Sequence, residues 1–107
     1  MLIVSQLWYP VSKAPDVGKL YIEMRKKIPD DKTVAKPIIR TAIRATKDGL
    51  HNITIASIKP GKVKEALDLT HKRLLMFGAI EGIKYETYIA YDLGEAMPLI
   101  GLQAPSE

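Results

Sequence analysis

Apolar positions along the chain switch between continuous runs, period-two alternation and helical spacing, and each regime marks an element. Leu2 to Tyr9 is a short apolar run with an aromatic end, stopped by Pro10 and lacking helix-capping residues, which predicts a buried strand. Pro15 and Asp16 then open a helix, because proline suits a first turn and aspartate favours the positive end of the dipole. Val17, Leu20, Tyr21, Met24 and Ile28 share one stripe until Pro29-Asp30-Asp31 ends it, with Arg25, Lys26 and Lys27 crowding the last turn. From Pro37 to Thr46, Ile39, Thr41, Ile43 and Ala45 alternate against Ile38, Arg40, Ala42 and Arg44. Lys47-Asp48-Gly49 supplies hairpin-turn chemistry, and His51 to Ile58 resumes a β-branched run. Pro60-Gly61 opens a second helix with the stripe Val63, Ala66, Leu67, Thr70, Leu74 and Phe77, running to about Ile80 with Gly82 as its cap. Ile83 to Tyr91 alternates again.

The order β-α-β-β-α-β is that of an α+β, ferredoxin-like domain, a four-stranded antiparallel sheet with two helices on one face. The expectation is a single domain over residues 1–107, with its core at about 2–92 and a C-terminal extension at 93–107. The second sheet face has no cover, so it must stay wet, bind something or pair with another sheet. The register that puts Ile39, Thr41 and Ile43 under the helices sends Arg40 and Arg44 to the open face. Gln6 and Trp8 join them if Leu7 faces the helices, and Glu86 and Tyr88 do so if Tyr85 and Ile89 point inward. Leu69, Met76 and Ile22 fall opposite the core stripes. The segment Leu93 to Leu102 is too apolar for a free tail and is expected to pack on the sheet or reach a partner subunit before fraying at Gln103 to Glu107.

Composition narrows the chemistry. There is no cysteine, which removes disulfides and thiolate sites and suits a reducing interior. No apolar run is long enough to span a bilayer, and Met1 to Val11 lacks a basic leader and a small-residue cleavage site, so the expectation is a soluble, cytoplasmic protein with no membrane partner. The net charge of +4 is uneven: residues 1–80 hold 15 basic and 7 acidic side chains, residues 81–107 hold 1 and 5. A basic body can signal an anionic partner or simply a solvated surface. One asparagine and two glutamines in an isoleucine-rich chain hint at a thermophilic source.

Arg40 and Arg44 have two readings. They pair with Glu86 or Glu95 across a subunit contact, or they form a wall of a pocket for an anionic or carbonyl-bearing molecule, whose oxygens accept their planar forks. The only histidines, His51 and His71, are the acid-base candidates, each set against a structural or surface role. They have no metal-ligand spacing, so no metal site is expected. No Walker loop, GxGxxG or GxSxG is present.

With that order in place, the strand Leu2 to Tyr9 running into a Pro-punctuated helix, the junction Ile58-Lys59-Pro60-Gly61-Lys62-Val63-Lys64-Glu65-Ala66 and the closing Gly82-Ile83-Lys84-Tyr85-Glu86 carry a resemblance over residues 2–92. The chain resembles the dimeric α/β-barrel superfamily, which includes antibiotic-biosynthesis-type monooxygenases, muconolactone isomerase-like proteins and haem-degrading relatives. The resemblance implies a homodimer closed through the open sheet faces, with exposed helix residues available for higher assembly. It also implies a pocket for a small, partly apolar or anionic ligand and a cofactor-independent monooxygenase or isomerase reaction. Trp8, Tyr9, Arg40, Arg44, Asn52 and Tyr88 are the ligand-binding candidates. Haem-degrading relatives use a histidine on the second helix, which His71 matches, and an asparagine on the first strand, where this chain offers Gln6; the expectation is therefore no cofactor. The alternatives are a non-catalytic ligand-sensing or assembly module and an RNA-binding module, the last disfavoured because His51 to Ile58 has no aromatic stacking residue.

Overall fold

The computed structural model describes residues 1–105. Four strands form one antiparallel sheet: β1 (Leu2–Tyr9), β2 (Ala35–Thr46), β3 (Gly49–Ile58) and β4 (Lys84–Ala90), in the order β2-β3-β1-β4. Helices α1 (Ala14–Lys27) and α2 (Val63–Phe77) lie in the two crossovers, and a short α3 (Leu93–Ala96) follows β4. This is an α+β architecture compatible with the ferredoxin-like plan. No helix among the described residues is long and apolar enough to cross a membrane.

The core occupies the face that carries α1 and α2, and it is divided. One cluster gathers Ile3, Val34, Ile58 and Ala66, with Ile89 and Ala56 packed on it. The other gathers Tyr9, Val17, Met24 and Phe77, with Leu7, Tyr21 and Leu50 around it. Odd positions of β1 therefore face the helices, and the pairings Leu7↔Tyr85 and Ile3↔Ile89 carry Tyr85 and Ile89 to the same side. Val4, Gln6, Trp8, Glu86 and Tyr88 fall on the opposite side.

Three local expectations are corrected. The β2–β3 register slips between Pro37 and Ile39 and again between Ile39 and Ala42, so β2 accommodates extra residues opposite β3. Pro37 cannot donate to the ladder and is tolerated because β2 is an edge strand. The slips put Ile39 opposite Ile55 on the open side and turn Arg40 toward the helices, the reverse of simple alternation. Helix α2 ends at Phe77 with Gly78 as its cap; Gly82, at φ +80°, instead serves the turn into β4, where a Cβ would lie 3.1 Å from Pro10. Leu69 and Met76 are not outward residues: Leu69 lines a cavity and Met76 packs on the core, while Leu75 is the exposed one. Ile22 does point outward.

The Lys47-Asp48 turn is braced by the Thr46 hydroxyl, which donates to the Gly49 carbonyl and accepts from the Asp48 amide. Gly49 is required there, since at φ +131° a Cβ would sit 2.5 Å from the Tyr9 carbonyl oxygen. Beyond β4, Asp92 and Glu95 form a capping box on α3, and the N-terminal amine pairs with Glu95. Leu93, Leu99, Ile100 and Leu102 remain more than half exposed. Ser106 and Glu107, the end of the segment expected to fray, lie outside the described residues.

Candidate functional site

The helix-facing positions of the central strands are short: Ser5 on β1 and Asn52, Thr54 and Ala56 on β3, with Ala66 and Thr70 of α2 above them. Small side chains on facing walls cannot meet across the usual separation of a helix and a sheet. The result is a cavity of about 130 Å³, lined by members of both core clusters. Ile3, Leu7, Met24, Leu69, Leu74 and Phe77 make most of its wall apolar. An apolar cavity of about 150 Å³ accepts benzene, so the volume suits a single ring or a short carbon chain.

The mouth is charged. Arg25, Arg40 and Arg73 line it together with Asp30 and Asp31. Asp30 accepts from Arg25 Nη1 at 2.9 Å, Arg40 Nη1 at 2.7 Å and Arg73 Nη2 at 3.0 Å. Burial works to raise the Asp30 pKa, but the hydrogen bonds from Arg40 and Arg73 and the charge of Arg25 outweigh it and hold the carboxyl at about 2. Arg73 also donates twice to the Ile28 carbonyl, at 2.8 and 3.1 Å, satisfying an end group of α1 and tying the two helices together. Asp31 is turned to Thr33, whose backbone amide and hydroxyl both donate to it and lower its pKa. Three guanidinium groups thus face two carboxylates, one of which is directed at a neutral residue.

On the sheet wall of the cavity the Tyr9 hydroxyl donates to Asn52 Oδ1 at 2.9 Å. Thr54 Oγ1 donates to the Arg40 carbonyl at 3.1 Å, and Thr41 Oγ1 donates to the same oxygen. The bulge has taken that carbonyl out of the regular ladder, and the two hydroxyls supply partners for it.

The expected site residues divide between two faces. Arg40 and Asn52 line the cavity, and Tyr9 sits behind Asn52, 5% exposed in the core. Trp8, Arg44, His51 and Tyr88 lie on the open sheet face, where Trp8 and His51 stack with ring centroids 5.0 Å apart. Arg44 Nε donates to His51 Nδ1 at 3.0 Å, which leaves the ring proton on Nε2, 2.7 Å from Gln6 Oε1. The amide of Gln6 in turn donates to the Tyr88 hydroxyl at 3.5 Å. His71 is exposed on α2 and bonds the Leu67 carbonyl through Nδ1. Neither histidine lines the cavity. Arg40 is paired with Asp30 and Glu95 with the N-terminal amine, so the pairing expected of Arg40 with Glu86 or Glu95 is replaced within the chain.

Asp30, Arg25 and Arg73 did not follow from the sequence reading, although a signal for two of them exists. Arg73 is three residues beyond Thr70 and next to Leu74, and Arg25 is four beyond Tyr21, so each flanks the apolar stripe of its helix. Among the described residues, no group of three or more His, Asp or Glu side chains is placed to hold a metal ion. Comparison with protein-family models, curated proteins and solved structures finds no match for the chain.

Proposed function

We propose that this is a small-molecule-binding protein whose sheet–helix cavity takes a small, partly apolar monoanion, with the apolar body inside and the anionic group at the arginines. The observation that carries this reading is the apolar cavity whose mouth holds three arginines around a single shared carboxylate. Arginine forks present paired donors to carboxylate or phosphate oxygens, and beside a mostly apolar wall such contacts are stronger than on an open surface. Arg40 is the most exposed of the three: its side chain is half exposed, whereas Arg73 is clipped to Ile28.

The finer architecture belongs to the same proposal. Two copies pair through their open sheet faces into a dimeric α/β barrel, which covers Ile53, Ile55, Tyr88 and the Trp8–His51 stack. The exposed Leu99, Ile100 and Leu102 support assembly beyond the single chain. A cofactor-independent oxygenase or isomerase reaction rests on the resemblance alone, whereas binding rests on the cavity itself.

Calorimetric titration with benzoate and hexanoate tests the reading. Saturable binding that weakens at least fivefold in Arg40→Gln is the expected result. Absence of binding up to millimolar ligand, or binding that Arg40→Gln leaves unchanged, overturns it.

A further inference from the structure

We infer that Tyr9 sets Asn52 as a fixed hydrogen-bond donor into the cavity, so that the ligand carries an acceptor, above all a carbonyl, on its apolar body in addition to its anionic group. This rests on the cavity being the anion site proposed above. It follows from accounting for each polar hydrogen on the wall around Asn52.

The Tyr9 hydroxyl donates to one lone pair of Asn52 Oδ1, which turns that oxygen toward Tyr9 and orients the Nδ2 hydrogens the other way. Among the described residues no hydrogen bond takes those hydrogens, and no sealed side-chain nitrogen or oxygen lacks a partner. The Nδ2 is therefore reachable, and the surface that Asn52 offers is the cavity. The neighbouring hydroxyls have already spent their hydrogens. Thr87 Oγ1 donates to the Val4 carbonyl at 3.0 Å, so in its 3.4 Å contact with Ser5 the serine is the donor. Thr54 and Thr41 both donate to the Arg40 carbonyl. Thr70 on the helix wall can donate or accept and expresses no preference.

Once a ligand covers it, an unmatched amide N–H is costlier than an unused hydroxyl lone pair, so Asn52 decides the polarity. The cavity lining thus offers guanidinium donors from Arg25, Arg40 and Arg73 and an amide donor from Asn52. The complementary ligand pairs its anionic group with the former and an acceptor on an apolar body the size of one ring with the latter, which describes an oxo-carboxylate or an acyl-substituted aromatic carboxylate.

The test compares 4-formylbenzoate, whose distal group only accepts, with 4-aminobenzoate, whose distal group chiefly donates, each read against benzoate by calorimetric titration. Wild-type protein is expected to prefer the formyl compound by about five- to tenfold, the value of one well-placed hydrogen bond. Asn52→Asp removes the donor at constant shape, and the order reverses. Tyr9→Phe frees the amide to turn over, and the formyl preference falls toward unity; if Asn52→Asp does not fold, as judged by circular dichroism, this variant decides alone. Benzoate binding that depends on Arg40, combined with no formyl preference or with a preference that these variants leave unchanged, overturns the inference and leaves the anion site standing. Failure of benzoate itself to bind overturns both.

Discussion

Replacing Asp30 by Asn removes the charge that three arginines share while keeping nearly the same shape and one acceptor oxygen. Lowering a carboxyl from 3.8 to about 2 corresponds to at most about 2.5 kcal/mol of native-state stabilisation. Asp30 is 21% exposed at the mouth of the cavity and Arg40 is half exposed, so screening by water reduces the realised value to about 1–2 kcal/mol. The folded-state pKa lies below the unfolded one, so this contribution is present above about pH 4 and is lost as pH falls through 2. Asp30→Asn should therefore lower stability by about 1–2 kcal/mol at pH 7, a fall in Tm of about 5–15 °C for a domain of this size. The wild-type advantage should shrink steadily below pH 4. Urea unfolding of both proteins at pH 7, 4 and 2.5 provides the comparison, since acid effects from other groups are common to both. The variant should also bind benzoate several-fold more tightly at low salt, because the cluster keeps three guanidinium groups and loses a competing anion. A stability difference that is the same at pH 7 and pH 2.5, or weaker benzoate binding in the variant, would refute the account of Asp30 as a shared counter-ion.

Three further outcomes follow from the packing. Ala56→Leu fills the floor of the cavity, so benzoate affinity should drop more than tenfold while stability moves by less than about 1.5 kcal/mol; calorimetry and thermal melting separate the two effects. Gly49→Ala forces a Cβ against the Tyr9 carbonyl at a positive φ and should destabilise by about 2–4 kcal/mol in urea unfolding, with a normal melt showing the hairpin placed wrongly. Ile53→Lys puts a charge in the middle of the open sheet face and should convert a dimer to a monomer by light scattering with benzoate binding intact; a wild-type protein that is monomeric at micromolar concentration removes the barrel part of the proposal.

Elements were legible because each rests on local periodicity. The stripes of α1 and α2 each reflect one buried face, and the structure places Val17, Met24, Ala66, Leu74 and Phe77 on the sides those patterns indicate; the alternation in β4 left its covered face open, and the pairing of Ile89 with Ile3 sets it. Facing within β2 was not legible, because period-two reasoning carries a register forward from Pro37 and one added residue reverses every position after it. Two slips inside the strand reverse it twice, so Arg44 returns to its expected side and only the stretch around Ile39 and Arg40 is inverted. Pro37 is the visible trace of this irregularity, but a proline marks where a ladder is weakened without saying which way the chain turns next.

That inversion also explains why the candidate site was seen in halves. Arg40 and Arg44 share the same face in an unbroken strand, and Trp8, Tyr88 and Asn52 then read as one wall; with Arg40 turned under the helices, two polar networks stand back to back across the sheet. One is neutral in its connections beyond Arg44 and runs laterally from Arg44 through His51 and Gln6 to Tyr88. The other is ionic and joins the end of α1, the middle of β2 and the C-terminal half of α2 through Asp30. Arg25 and Arg40 are close to Asp30 in sequence, but Arg73 is 43 residues from it, so only the packing of α1 beside α2 brings that guanidinium in. An aspartate that looks like a helix stop becomes the hub because it lies where the crossover leaves α1 and passes the edge of the sheet. The same displacement by the bulge that moves Arg40 to Asp30 frees its carbonyl for Thr54 and Thr41, committing their hydrogens and leaving Asn52 to present a donor to the cavity.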